Sequence, residues 1–189
     1  MTITTEPWHS PATSDRRVQL VRIPEPMIHA LADGSVENLG GDRGLGGLEN
    51  GTLYTPYIRG PECQSLWAIR SAQITAHPGD AAWITRLIVV PGIPGAVGVA
   101  GFHAPPDARE MVEFGYRVEP AHRRQGYARA ALETLLSVAR HHSQVRVIRA
   151  TISPDNSPSR SLVAQYGFVE VGEQWDDEDG LEIIFELPA

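Results

Sequence analysis

Apolar and polar positions alternate in two rhythms along this chain, and the change of rhythm marks out its elements. Val18 to Ile23 alternates with a period of two, as a half-buried strand does. Pro26 opens a short apolar run that Asp33-Gly34 closes, which predicts a helix through Ala32. Residues 34–61 are rich in Gly and Asn and show no period, so a long loop is expected there, with room for a short helix. Pro61 to about Ala76, carrying Leu66, Trp67 and Ile69, predicts a second helix. Ala81–Val90 and Ala96–His103 read as strands joined at the Gly92–Gly95 turn, a hairpin.

The second half of the chain is more regular. Met111–Val118 predicts a strand. Tyr127–Arg140 is the clearest helix, because Ala128, Ala131, Leu132, Leu135, Val138 and Ala139 follow the i, i+3, i+4 spacing while Arg129, Glu133 and Arg140 take other faces. Val145–Ile152 is a further strand. Asn156-Ser157-Pro158 starts a helix running to about Tyr166, with Gly167 as its stop. Phe168–Val171 and Leu181–Leu187 read as closing strands. Residues 1–16, polar and holding two prolines, are expected to form a flexible tail, leaving 17–189 as one domain. Strands alternating with helices imply an α/β (α+β) class with a mixed sheet.

Charge and composition narrow the function. The 189 residues suffice for one full core, and the net charge of −7 argues against non-specific nucleic-acid binding. The single cysteine, Cys63, cannot form an internal disulfide. No apolar leader opens the chain. Its longest uncharged, mostly apolar stretch, Leu87–Phe102, is broken by Pro91 and Pro94 and is too short to span a bilayer. A cytoplasmic protein without membrane or nucleic-acid partners is expected.

The chemistry concentrates between the Met111–Val118 strand and the long helix. The segment there reads Val118-Glu-Pro-Ala-His-Arg123-Arg124-Gln125-Gly126-Tyr127-Ala128. A helix N-terminus presents unpaired N–H groups and partial positive charge. Gly126 lets the backbone approach a ligand closely, and Arg123 and Arg124 add charge, which together suit a pyrophosphate. A surface turn with two solvated arginines would use the same residues.

Context favours the first reading. Arg123-x-x-Gly126-x-Ala128, after a strand ending Val-x-Pro and before a long amphipathic helix, resembles the signature of GNAT acetyltransferases. Asn156-x-x-Ser159, followed by Gly167-Phe168, is similar to a second motif of that family. The likeness is nearest to the branch holding the ribosomal-protein N-terminal acetyltransferases. It runs from about residue 18 to 189 and is closest from Met111 to Phe168.

The resemblance implies a central mixed, mostly antiparallel sheet flanked by helices and splayed between the Met111–Val118 and Val145–Ile152 strands. It implies acetyl-CoA as donor, with the backbone of Tyr116, Arg117 and Val118 pairing to pantetheine. Arg123, Arg124, Gln125, Gly126, Tyr127 and Ala128 would hold the pyrophosphate. Asn156 and Ser159 would bond the donor from the opposite wall. An amine, on a small molecule or a protein N-terminus, would attack directly in a ternary complex, and a homodimer is expected by analogy alone. A CoA-binding module without turnover, or an enzyme for longer acyl-CoAs, is the alternative. Glu113, among Met111, Val112 and Phe114, is the candidate catalytic base, its pKa expected to rise on burial. Many relatives place a general-acid Tyr where this chain has Val163. Tyr166 lies three residues on, about 4.5 Å along a helix.

Other features have plainer readings. Gly40–Gly47 lacks the Gly-Lys-Ser/Thr ending of a phosphate loop and reads as a flexible loop that could gate the acceptor. His141-His142 has no third ligand, so no metal is expected. Trp67, Trp83, Tyr54 and Tyr57 fit a core, and Asp176–Asp179 a solvated turn.

Overall fold

A computed structural model describes residue 3 and residues 6–36, 53–177 and 180–189. Their strands are β1 (Trp8–His9), β2 (Gln19–Arg22), β3 (Arg86–Val89), β4 (Ala96–Phe102), β5 (Met111–Val118), β6 (Val147–Ile152), β7 (Val169–Asp176) and β8 (Gly180–Pro188). Their helices are α1 (Glu25–Asp33), α2 (Pro56–Arg59), α3 (Gln64–Ala76), α4 (Tyr127–His141) and α5 (Ser157–Ala164). The strands form one sheet in the order β1-β2-β3-β4-β5-β6-β8-β7. Every neighbouring pair is antiparallel except β5–β6, which is parallel. This is the mixed, mostly antiparallel sheet expected.

Two cores lie on its two faces. One joins Ala131, Leu132, Leu135 and Ala139 of α4 and Val163 of α5 to Phe102, Phe114, Ile148 and Phe185. The other joins Ile28 and Leu31 of α1, Ile58 of α2 and Trp67 and Ile74 of α3 to Leu87, Val89, Ala96 and Val99. Among the described residues, this second core takes its sheet residues from β3 and β4 and none from β5, β6 or β8.

Three expectations need correction. The N-terminal segment is not a loose tail from Trp8 onward. Trp8 pairs with Leu20, is 5% exposed and packs on Phe102 at 5.8 Å between ring centroids. The buried Arg86 guanidinium lies 3.6 Å over its ring, and desolvation pulls that group down to about 9. One aromatic in a polar stretch has no period to read, so tertiary packing decides its place.

The Ala81–Val90 strand starts only at Arg86, because Pro78–Ala82 forms a 3-10 turn and the N–H groups of Trp83 and Ile84 both donate to Asp80. Ala81, Trp83 and Ile84 are all buried, and a run of buried apolar residues does not distinguish strand from turn. The Phe168–Val171 strand extends to Asp176 by pairing along β8. Its side chains are mostly exposed, so no apolar alternation announces it. Asp176 ends that strand and Asp177 turns, while Glu178, Asp179 and the Gly40–Gly47 loop lie outside the described residues. No helix among the described residues is long and apolar enough to cross a membrane.

Candidate active site

The sheet opens where the resemblance places the donor. β5 pairs with β4 from Phe114 to Val118 but with β6 only over Met111, Val112 and Glu113. Beyond Arg149, β6 continues on β8 alone. The edge of Phe114–Val118 that faces β6 is therefore left without a strand partner among the described residues. The N–H and C=O groups of alternate residues, Phe114, Tyr116 and Val118, face the gap, where an extended, amide-bearing ligand could pair with them as in strand addition.

Side chains along that edge divide by face. Val118 points into the α4 core, and its carbonyl accepts from Arg123 Nε at 2.9 Å. Tyr116 points the same way. Its hydroxyl is buried and makes no hydrogen bond among the described residues. Burial pushes the phenol up, and the Ser159 side chain offsets part of that. A buried hydroxyl with Ser159 as its polar neighbour, at the open edge, could also serve a polar ligand arm. Arg117 points its side chain to the opposite face, where its guanidinium donates to the Glu62 carbonyl. Its backbone is turned to β4, in register with the Glu119-to-Val97 and His103-to-Glu113 bonds on either side, so contrary to expectation it offers nothing to the opening.

Two left-handed residues shape the turn before α4. After a 3-10 turn at Pro120–His122, Arg124 (φ 61°) and Gly126 (φ 86°) both take left-handed conformations. Gly126 is the N-cap of α4 and brings no capping side chain, so among the described residues no side-chain cap satisfies the first N–H groups of the helix. Arg124 and Gln125 are exposed. Tyr127 is a core residue at 7% exposure, and Ala128 packs against the same core, so both can serve an anion only through their N–H groups. Arg123 braces the strand end through the Val118 carbonyl. An unforeseen cation joins them: Arg16 Nε donates to the Gln125 carbonyl at 3.1 Å. It reaches the turn because β1 and β2 tie down the N-terminal segment.

Across the opening, Asn156 caps α5 by accepting from the Ser159 N–H at 3.2 Å. Val163 is fully buried and offers no acid. Nor does Tyr166 replace the missing Tyr: its hydroxyl donates to Glu133 at 2.5 Å and accepts from Arg129 at 3.2 Å. Desolvation first, then the Glu133 hydrogen bond, pushes its pKa up to about 12.

On the other face, polar residues fill the stretch of sheet that the second core leaves bare. Thr151 Oγ1 donates to Glu113 Oε1 at 2.7 Å, and His103 Nδ1 lies 3.3 Å from the same oxygen. Arg149 pairs with Glu186 at 2.5 Å. Beneath them the buried Arg70 of α3 donates to Thr85, Gln73 and the His103 carbonyl, which Gln73 also bonds at 2.8 Å.

This surrounding reverses the expectation for Glu113. Desolvation is the largest influence and pushes its pKa up. Hydrogen bonding and charge from His103, the Thr151 hydroxyl and Arg149 together outweigh it and hold the carboxyl below the usual glutamate value. A folded-state pKa below the unfolded one means that the folded chain binds this proton more weakly. The stabilisation is then complete above the unfolded value of about 4.3 and is lost as pH falls through the folded value. Thermal unfolding at pH 7 and below pH 4 should show wild type losing more stability on acidification than Glu113→Gln.

His103, Arg70 and Thr151 were not anticipated. Arg70 had a signal: it sits three residues after Trp67 and four before Ile74, a charge on the apolar face of α3. His103 had none, since only the register of β4 on β5 sets it opposite Glu113. Trp67, Trp83, Tyr54 and Tyr57 are buried, as core residues. His141 bonds the Ser137 carbonyl and His142 stacks edge-on against Trp83. Among the described residues, no group of three or more His, Cys, Asp or Glu is placed to hold a metal ion.

Comparison with known proteins decides the family. Residues 54–169 match the model of the acetyltransferase (GNAT) domain. The chain belongs to the GNAT acetyltransferase family. Within GNAT proteins it is 34% identical over 73 residues to the uncharacterized N-acetyltransferase YjdG of Bacillus subtilis, a match covering 39% of this chain and 44% of that one. The matched part thus spans less than half the length of that relative. Mycobacterium smegmatis RimJ in complex with CoA-disulfide has a similar fold, with a TM-score of 0.60 and 21% identity over 97% of this chain and 86% of that one. So does a putative ribosomal-protein-serine acetyltransferase from Vibrio cholerae, with a TM-score of 0.60 and 17% identity over the whole of both chains.

Proposed function

We propose that this GNAT protein transfers acetyl from acetyl-CoA to an amine by direct attack in a ternary complex. One observation carries the reading: a strand edge open over Phe114–Val118 runs straight into an uncapped helix N-terminus at Gly126. The edge suits pantetheine and the helix start suits pyrophosphate, one after the other along the chain. Tyr116 and Val118 would pair with the pantetheine through their backbone, whereas Arg117, whose backbone is turned to β4, would not. Arg123, Arg124, Gln125, Gly126, Tyr127 and Ala128 would cradle the pyrophosphate, and Arg16 adds charge beside them. Asn156 and Ser159 form the facing wall. The Val118 N–H is the proposed donor to the thioester oxygen.

The acceptor would enter from the opposite face, where Glu113 and its polar neighbours lie bare of the helical core. We propose a primary amine there, on a small molecule or a protein N-terminus, with Glu113 on the proton-accepting side of the reaction. Two measurements test this. Acetyl-CoA at about 100 times its Kd should stabilise the fold by about 2.7 kcal/mol, readable as a rise in melting temperature. Thiol release from acetyl-CoA should then depend on an added amine, drawn from peptides with free N-termini, polyamines and amino acids. No stabilisation by CoA, acetyl-CoA or longer acyl-CoAs would refute the donor site, and stabilisation without thiol release would leave a binding module.

A further inference from the structure

We propose that His103 is the group that takes the proton from the attacking amine, and that Glu113 positions it. The inference rests on the acetyl-transfer reading and assigns the proton to a residue outside the family signature.

His103 directly follows β4, and its N–H donates to the Glu113 carbonyl at 2.8 Å, so the two are cross-strand partners with side chains on one face. Their side chains meet at Nδ1 and Oε1, 3.3 Å apart. The Thr151 hydroxyl bonds the same Oε1 and fixes the carboxylate. With Nδ1–H turned to the carboxylate, the lone pair of the neutral ring lies on Nε2. Nε2 has a defined place: a Cβ added at Gly115 would stand 2.9 Å from it. Gly115 lies within the splayed stretch, two residues past the last β5–β6 pair at Glu113. The ring therefore reaches over the strand at the mouth of the opening, and its side chain is 43% exposed against 20% for Glu113. The acceptor side meets the imidazole first.

The two groups differ in suitability. Glu113 already accepts from Thr151, and its environment favours the ionised form, which makes it a reluctant proton acceptor and a good counter-charge. Imidazole has the basicity suited to general-base work near neutral pH. Arg70 and Gln73 grip the His103 carbonyl, so the ring stands on an anchored backbone. A carboxylate that orients an imidazole and stabilises the imidazolium is an efficient arrangement for proton transfer.

The step balances without another reagent. The amine lone pair forms the C–N bond to the acetyl carbonyl carbon. The C–S bond breaks with its electron pair on sulfur. The nitrogen gives its proton to Nε2, and the imidazolium returns a proton to the thiolate, directly or through water, so that CoA leaves as the thiol.

The test uses the full chain, acetyl-CoA, and thiol release with the amine panel named above and with water alone. His103→Gln should lower kcat by about 100-fold, as loss of a general base does, while the KM for acetyl-CoA and its thermal shift stay within twofold of wild type. Glu113→Gln should lower kcat by about tenfold. Gly115→Ala, which displaces the ring and leaves the sequence at His103 intact, should also lower kcat with donor binding retained. Imidazole added to the buffer should restore part of the rate to His103→Ala and none to Glu113→Gln. A His103→Gln rate within twofold of wild type, or a His103→Ala loss that imidazole does not relieve, would overturn the assignment while leaving acetyl transfer standing. Wild-type protein that binds acetyl-CoA yet releases no thiol with any acceptor would overturn both.

Discussion

Gly126→Val is expected to abolish acetyl-CoA binding while leaving most of the fold in place. Gly126 holds φ at 86°, a left-handed conformation that a β-branched residue reaches only under strain. It is the N-cap of α4, so the strain falls where the helix presents its unpaired N–H groups. A side chain there would also meet Arg16, whose Cγ would stand 3.1 Å from the new Cβ. Relief requires the turn to rotate, which re-aims the N–H groups and displaces the Arg16 bond to Gln125 together. The strain is worth about 1–2 kcal/mol, tolerable for a fold whose α4 is anchored by Ala131, Leu132 and Leu135. Binding should suffer far more, because the anion then faces a methyl group. The check is the melting temperature with and without acetyl-CoA: wild type should rise on adding ligand and Gly126→Val should not.

Trp67→Ala is expected to cause the largest loss of stability, about 3–5 kcal/mol for deleting a buried aromatic. Trp67 is fully buried in the second core, and its indole N–H donates to the Ile58 carbonyl at 2.7 Å. Removing it leaves a cavity between α2, α3 and the sheet and an unpaired carbonyl at the end of α2. For a chain of this size each kcal/mol moves the melting temperature by about 2–4 °C, so a fall of about 10 °C is anticipated. The effect should reach the acceptor face as well. One and nearly two turns along α3, Arg70 and Gln73 hold the His103 carbonyl, and a loosened helix no longer fixes that point. Denaturant melts give the first quantity, and residual thiol release at a temperature where the variant is folded gives the second.

These residues show where sequence patterns are informative. α4 and β5 were legible almost to the residue, because their apolar spacing agrees with what each buries. The proposed anion-binding turn could be singled out because its residues are local: a glycine, two arginines and a helix start lie within a few positions. The acceptor face was not. His103 just after β4, Glu113 of β5 and Thr151 of β6 meet only through register, which no short window contains. Trp8 and Arg16 were hidden for a related reason. Two residues of β1 pairing with Leu20 and Gln19 are enough to bring Arg16 to the turn, and a two-residue strand has no readable period. The pKa of Glu113 was misjudged because burial was visible in its apolar neighbours, whereas the cation and hydroxyl that counter it were distant in sequence.

One continuous surface, from the open edge of β5 to the N-terminus of α4, is the proposed donor site. A crystal structure with acetyl-CoA tests it most directly. Pantetheine amides should pair with the backbone between Phe114 and Val118, and the pyrophosphate should lie on the N–H groups following Gln125. A pyrophosphate bound away from Gly126, or a β5 edge that stays unpaired with the ligand present, would contradict it.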